Sequence, residues 1–151
     1  MVVYRISNCQ FISDLSGEGA YKYGGRWNSK GVHMLYTAGS AALALLESVV
    51  HIPNIINVSY CLAAIEVPAQ KIAVIHEEEL PADWQMNPPP DHLKKIGNSF
   101  IASNDHLVLK IPSVILPQEF NYLINPYHKD FAGVKILTRE PLNIDKRLLR
   151  Q

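Results

Sequence analysis

The sequence holds only two cysteines, no apolar run approaching the ~20 residues needed to cross a bilayer, and no excess of either charge. Lysine plus arginine equals aspartate plus glutamate at 14 each. Without a basic field to engage phosphate backbones, direct DNA or RNA binding is disfavoured. Cys9 and Cys61 are far apart and match no metal-ligand spacing such as C-x-x-C, so two reduced thiols are expected. The opening Met1-Val2-Val3-Tyr4-Arg5 lacks the apolar stretch of a signal peptide. These absences predict a cytoplasmic protein with no membrane association. The six histidines are scattered, and His76-Glu77-Glu78-Glu79 lacks the second histidine of a metalloprotease helix, so no metal is expected.

What is present is a length of 151 residues, sufficient for one domain with an ordinary core. Charge is scarce in one stretch. From Gly31 to Ile65 the one charged side chain is Glu47, within Ala41-Ala42-Leu43-Ala44-Leu45-Leu46-Glu47-Ser48-Val49-Val50. An ionised group taken out of water without a partner costs several kcal/mol, so such an acid has a cationic partner or a chemical task. Glu47 is read as the centre of an active site, with a structural ion pair, for instance to Arg26, as the alternative.

Val2 to Ile6, Val32 to Tyr36, Val58 to Val67, Ile72 to Ile75, Leu107 to Ile111, Phe120 to Ile124 and Val134 to Thr138 read as short strands. Asp14 to Asn28, rich in glycine, serine and asparagine, reads as a long loop. Thr37 to Ser40 supplies helix-starting residues, and Ala41 to about His51 is apolar enough all round to predict a helix gripped on several sides and stopped by Pro53. Residues 77 to 91 read as an exposed connection, and Asp91 as the cap of a helix through about Ala102. Pro112 has no N–H for a sheet ladder, so its strand should kink or lie at an edge there. Strands and helices do not alternate regularly, which indicates an α+β fold of mixed short-stranded sheets with a buried helix carrying Glu47.

Arg26 follows Gly24 and Gly25, which permit a tight turn, and its guanidinium can clamp a phosphate by two parallel hydrogen bonds. Ser113 is a polar side chain in the stripe Leu107, Leu109, Ile111, Ile115, but no Gly-x-Ser-x-Gly elbow surrounds it, against a hydrolase nucleophile. Trp27 and Tyr36 offer flat faces for a heteroaromatic ring, with core packing as the alternative. Asn28 belongs to the same polar cluster, while Asn121 and Asn125 are paired hydrogen-bonding candidates, the latter also explicable as an Asn-Pro turn.

Taken together, Tyr4-Arg5, Gly24-Gly25-Arg26-Trp27-Asn28, Tyr36, Ala44-Leu45-Leu46-Glu47, Pro112-Ser113-Val114, Asn121, Asn125-Pro126, His128 and the closing Asp145, Arg147, Leu148 resemble the RES domain. The resemblance runs nearly end to end, so residues 1–151 are expected as one RES domain. It implies a fold similar to ADP-ribosyltransferase toxins and a toxin that consumes NAD, cleaving its nicotinamide–ribose bond by hydrolysis or phosphorolysis. Arg26, Glu47 and Ser113 carry over as the catalytic triad, and Tyr36, with Trp27, Asn28, Asn121 and Asn125, as the substrate pocket. NAD is then a substrate, and no cofactor is expected; whether inorganic phosphate joins as co-substrate stays open. The implied partner is an Xre-family antitoxin that binds DNA and blocks the pocket. ADP-ribosyl transfer to another acceptor, a non-catalytic interaction module, and the assembly of homo-oligomers all remain open on the sequence.

Overall fold

The computed structural model describes residues 1–51, 58–68 and 70–149. Seven strands join in one sheet: β1 (Val2–Asn8), β2 (Leu35–Ala38), β3 (Tyr60–Glu66), β4 (Ile72–Val74), β5 (Val108–Pro112), β6 (Phe120–Ile124) and β7 (Lys135–Leu142), in the order β4-β5-β6-β2-β1-β3-β7. β4 and β5 run parallel, and every other pair is antiparallel. With helices α1 (Glu18–Tyr23), α2 (Ala41–Val49) and α3 (Lys94–Ser103), this is an α+β fold built on one mixed sheet.

Because side chains alternate across a strand, successive residues feed two cores. Leu35 and its partner Ile124 join Val3, Ile65 and Val108 on one face. Tyr36 and its partner Leu123 face the other way, with Trp27, Trp84, Phe100 and Leu109. A third, small cluster of Ala38, Leu43 and Ala44 seats α2 over Tyr4 and Ile6. Pro112 behaves as its chemistry requires. It pairs with Phe120 on one side, while β4 has already ended opposite Lys110.

Several expectations are corrected. The segment Asp14 to Asn28 is not all loop: α1 begins at Glu18, after Gly17 in the left-handed conformation. The strand expected from Val32 begins only at Leu35. α2 starts where expected, with Ser40 Oγ accepting the Leu43 N–H, but it buries only Leu43 and Ala44 and leaves Leu46 and Val50 exposed. Its apolar sequence misled because hydropathy does not report how many neighbours pack on a helix, and the buried cluster at α2 takes in only its Leu43 and Ala44. Pro53 lies outside the described residues. The connection 77–91 is anchored, not simply exposed, since Leu80 and Trp84 are buried. Asp91 opens a short 3-10 turn ahead of α3 and pairs with Lys94 instead of capping α3.

Cys9 and Cys61 are joined in a disulfide, not held as reduced thiols. In the antiparallel pairing of β1 with β3, Cys61 lies opposite Ser7 and Tyr60 opposite Asn8, and the Cys9 N–H then bonds the Ser59 carbonyl, which leaves Cys9 diagonal to Cys61 with Cα atoms 4.8 Å apart. Sequence separation hid that register, and the reduced-thiol argument for the cytoplasm no longer applies. No helix among the described residues is long and apolar enough to cross a membrane.

Candidate active site

Between α2, the sheet and the loop carrying Arg26 lies a cavity of about 910 Å³, within the range of small-molecule sites. Glu47, Arg26, Tyr36 and Asn121 line it.

Glu47 reaches the cavity from the last turn of α2. Ser113 Oγ donates to its Oε1 at 2.7 Å, and Asn121 Nδ2 donates to the same oxygen at 2.6 Å. Ser113 is fully buried just past β5. Its Oγ also accepts the N–H groups of Ile115 and Leu116 at 3.2 and 3.1 Å. With those acceptor positions filled, the hydroxyl proton is directed to Glu47. Ser113 is thus a support for the carboxylate, and its geometry does not suit a nucleophile. Asn121 lies on β6 opposite Ala38 of β2, three residues before α2 begins, which places it under the helix.

Arg26 sits on a loop shaped by close packing. Gly24 adopts φ 70°, and Gly25 has no room for a side chain: an added Cβ would lie 2.6 Å from the Tyr36 hydroxyl. That hydroxyl accepts the Trp27 N–H at 3.1 Å and donates to Asn28 Oδ1 at 2.7 Å. Asn28, fully buried, turns its amide nitrogen to the carbonyls of Ala20, Ser29 and Val32. Burial pushes the Tyr36 phenol well above its ordinary pKa, so it stays a donor. From outside the loop, Asn98 of α3 bonds both the Ser29 N–H and its hydroxyl. Gly97 lets α3 press on the Trp27 carbonyl.

The Arg26 guanidinium donates through Nη1 to the carbonyls of Trp84 and Met86, at 2.8 and 3.0 Å. Burial lowers its pKa, opposed by the field of Glu47. Trp84 thereby anchors a strap whose Gln85, Asn87 and Pro89 form one wall of the cavity.

The sequence candidates therefore divide. Arg26, Glu47, Ser113, Tyr36 and Asn121 are brought together. Trp27, though nearly buried, also lines the cavity, while Asn28 is fully buried behind it and holds the loop. Asn125 is elsewhere: its side chain bonds Asn104 and the Tyr127 N–H beyond the far end of β6. Asn98, Gly97 and the two strap carbonyls were not found from the sequence. Every residue has a carbonyl, so no residue type could signal the latter. Arg5, which lines the cavity while donating to the Ile12 and Asp14 carbonyls, entered only through the family resemblance.

The RES domain model matches residues 2–145. Toxin Res of Yersinia enterocolitica is 38% identical over 133 residues, 87% of this chain and 88% of that protein. Prs ADP-ribosylating toxin of Sphingobium sp. is 39% identical over 142 residues, 91% of this chain and 88% of that one. Among solved structures, the crystal structure of the M. tuberculosis MbcT-MbcA toxin-antitoxin complex matches with a TM-score of 0.79 at 18% identity, covering 94% of this chain and 84% of the other. At that identity the likeness speaks for the fold. With the family model spanning nearly its whole length, the chain belongs to the RES domain family.

Proposed function

We propose that this chain is an enzymatic toxin that destroys NAD by cleaving its nicotinamide–ribose bond. One observation carries the reading: a carboxylate with one oxygen held by two neutral donors lines a cavity that also holds a guanidinium. The relatives named as toxins support the broader role.

As the glycosidic bond breaks, its electron pair leaves with nicotinamide, which becomes neutral, and the ribose carbon turns cationic. Glu47 faces that developing charge and stabilises it in a site partly shielded from water. Ser113 and Asn121 hold the carboxylate without neutralising it. The oxygen of water, or of phosphate, then bonds the ribose carbon, and the water proton passes through Glu47 to solvent. Arg26, fixed through Nη1 on the strap, offers its remaining N–H groups to the pyrophosphate. Its task is positioning.

The partner is an antitoxin of the Xre type that covers the cavity, a reading supported by the fold shared with one member of a toxin-antitoxin complex. The site of action is the cytoplasm, where the NAD pool lies. Transfer of ADP-ribose to a protein or small-molecule acceptor is the second reading, favoured by the name of the Sphingobium relative.

Nicotinamide release from NAD by the purified chain, with and without phosphate, tests the proposal. Mass spectrometry separates free ADP-ribose, its 1″-phosphate and a modified protein. An intact NAD pool after prolonged incubation would overturn the enzymatic reading.

A further inference from the structure

Glu47 meets two donors, and both reach the same atom, Oε1. Oε2 receives no hydrogen bond from the described residues, yet none of their buried side-chain oxygens lacks a partner. Oε2 is therefore open, on a side chain that lines the cavity. A glutamate free to rotate would sample several rotamers and offer either oxygen. Two charge-assisted hydrogen bonds converging on Oε1 remove that freedom.

The two donors come from different parts of the fold. Ser113 belongs to the turn after β5, where its Oγ is occupied by two backbone N–H groups. Asn121 belongs to the sheet, held by its pairing with Ala38, whose neighbour Gly39 donates its N–H to the Phe120 carbonyl. Ser40, which caps α2, also donates to Glu119 Oε2 at 3.2 Å. The N-terminal end of β6 is thus tied to the start of the helix that carries Glu47, and Asn121 is placed against the carboxylate by that same junction.

We propose that Asn121 is a positioning residue for Glu47: it anchors the oxygen that Ser113 also holds and leaves Oε2 to face the ribose carbon. The proposal rests on the reading of this site as NAD-cleaving, and it differs from the substrate-binding role that the sequence suggests for Asn121. A neutral amide suits the task. A lysine would neutralise the charge needed by the transition state, and an aspartate would repel it.

Wild type, Asn121→Ala, Glu47→Gln and the double variant are compared in steady-state nicotinamide release, with thermal melts alongside. Asn121→Ala is expected to lower kcat roughly 10- to 100-fold, the scale of losing a hydrogen bond to a charged group, with KM for NAD unchanged. Adding Asn121→Ala to Glu47→Gln is expected to lower kcat no further, because the residue acts through the carboxylate. A raised KM, or a double variant as impaired as the product of the single effects, overturns the proposal in favour of substrate contact or a general structural role. A second measurement needs neither turnover nor a folded alanine variant. The sequentially assigned side-chain amide 15N resonance of Asn121 should shift between wild type and Glu47→Gln, and an unmoved resonance overturns the anchor. If the resonance moves but wild type releases no nicotinamide, the NAD reading falls and the anchor stands. If nicotinamide is released and the resonance does not move, the anchor falls and the NAD reading stands.

Discussion

Arg26 and Glu47 line the same cavity without forming an ion pair. Arg26 is held by the carbonyls of Trp84 and Met86, and Glu47 by Ser113 and Asn121. Each charge is thus fixed by neutral groups, and neither is spent on the other, as the proposed cleavage of a substrate with a pyrophosphate and a developing cation requires.

Glu47→Gln preserves the shape of the side chain and its acceptor oxygen for Ser113 and Asn121. The protein should fold normally and lose about 10²–10³-fold in nicotinamide release, the scale of removing one electrostatic stabiliser from a transition state. A purified variant with near-normal turnover and an unchanged melting temperature would contradict the assignment.

Arg26→Lys keeps the charge but cannot reproduce the planar fork that spans two carbonyls and a phosphate. KM for NAD should rise by about 10- to 100-fold, with kcat changed far less. Isothermal titration with a non-hydrolysable NAD analogue gives an independent reading, and unaltered affinity would remove the clamp.

Tyr36→Phe deletes the hydroxyl that joins the Trp27 N–H to Asn28 Oδ1. Leaving those groups unpaired should cost about 1–3 kcal/mol in urea unfolding. Burial raises the phenol pKa in the folded protein, so the unfolded chain loses this proton first as pH rises. The stability tied to Tyr36 is complete below the ordinary value of 10.0 and is lost above it. The phenylalanine variant should show less alkaline destabilisation than wild type.

Ser113→Ala removes the acceptor for the Ile115 and Leu116 N–H groups as well as a donor to Glu47. Both stability and turnover should fall, the first by about 1–3 kcal/mol. Denaturant titration and nicotinamide release on the same preparation test the pair. A fully stable but inactive variant would favour direct chemistry by the hydroxyl over support.

The strand Phe120 to Ile124 was legible with its bounds, since a short run rich in aromatic and β-branched residues favours an extended backbone, whereas the stretch from Val32 forms a strand only from Leu35. α2 was legible as a helix but not in its degree of burial, which depends on what packs against it. Helix α1 was hidden by glycines at its two ends, which read as loop while serving as its boundaries. In the site, the isolation of Glu47 and the Gly24-Gly25-Arg26 turn were visible in composition alone. Asn125 shares the parity of Asn121 on β6, yet β6 ends at Ile124 and the chain turns away.

The sequence by itself determined the residue chemistry: one acid in an apolar stretch, a guanidinium behind two glycines, and the motifs that place the chain in its family. Only the tertiary structure decided which groups meet, including the disulfide between Cys9 and Cys61, the strap that holds Arg26, and the convergence of Ser113 and Asn121 on one oxygen. The physical reason is that charge and hydropathy belong to single residues, whereas a hydrogen bond needs two atoms within about 3 Å. Across the 66 positions from Glu47 to Ser113, only sheet register and helix packing set that distance.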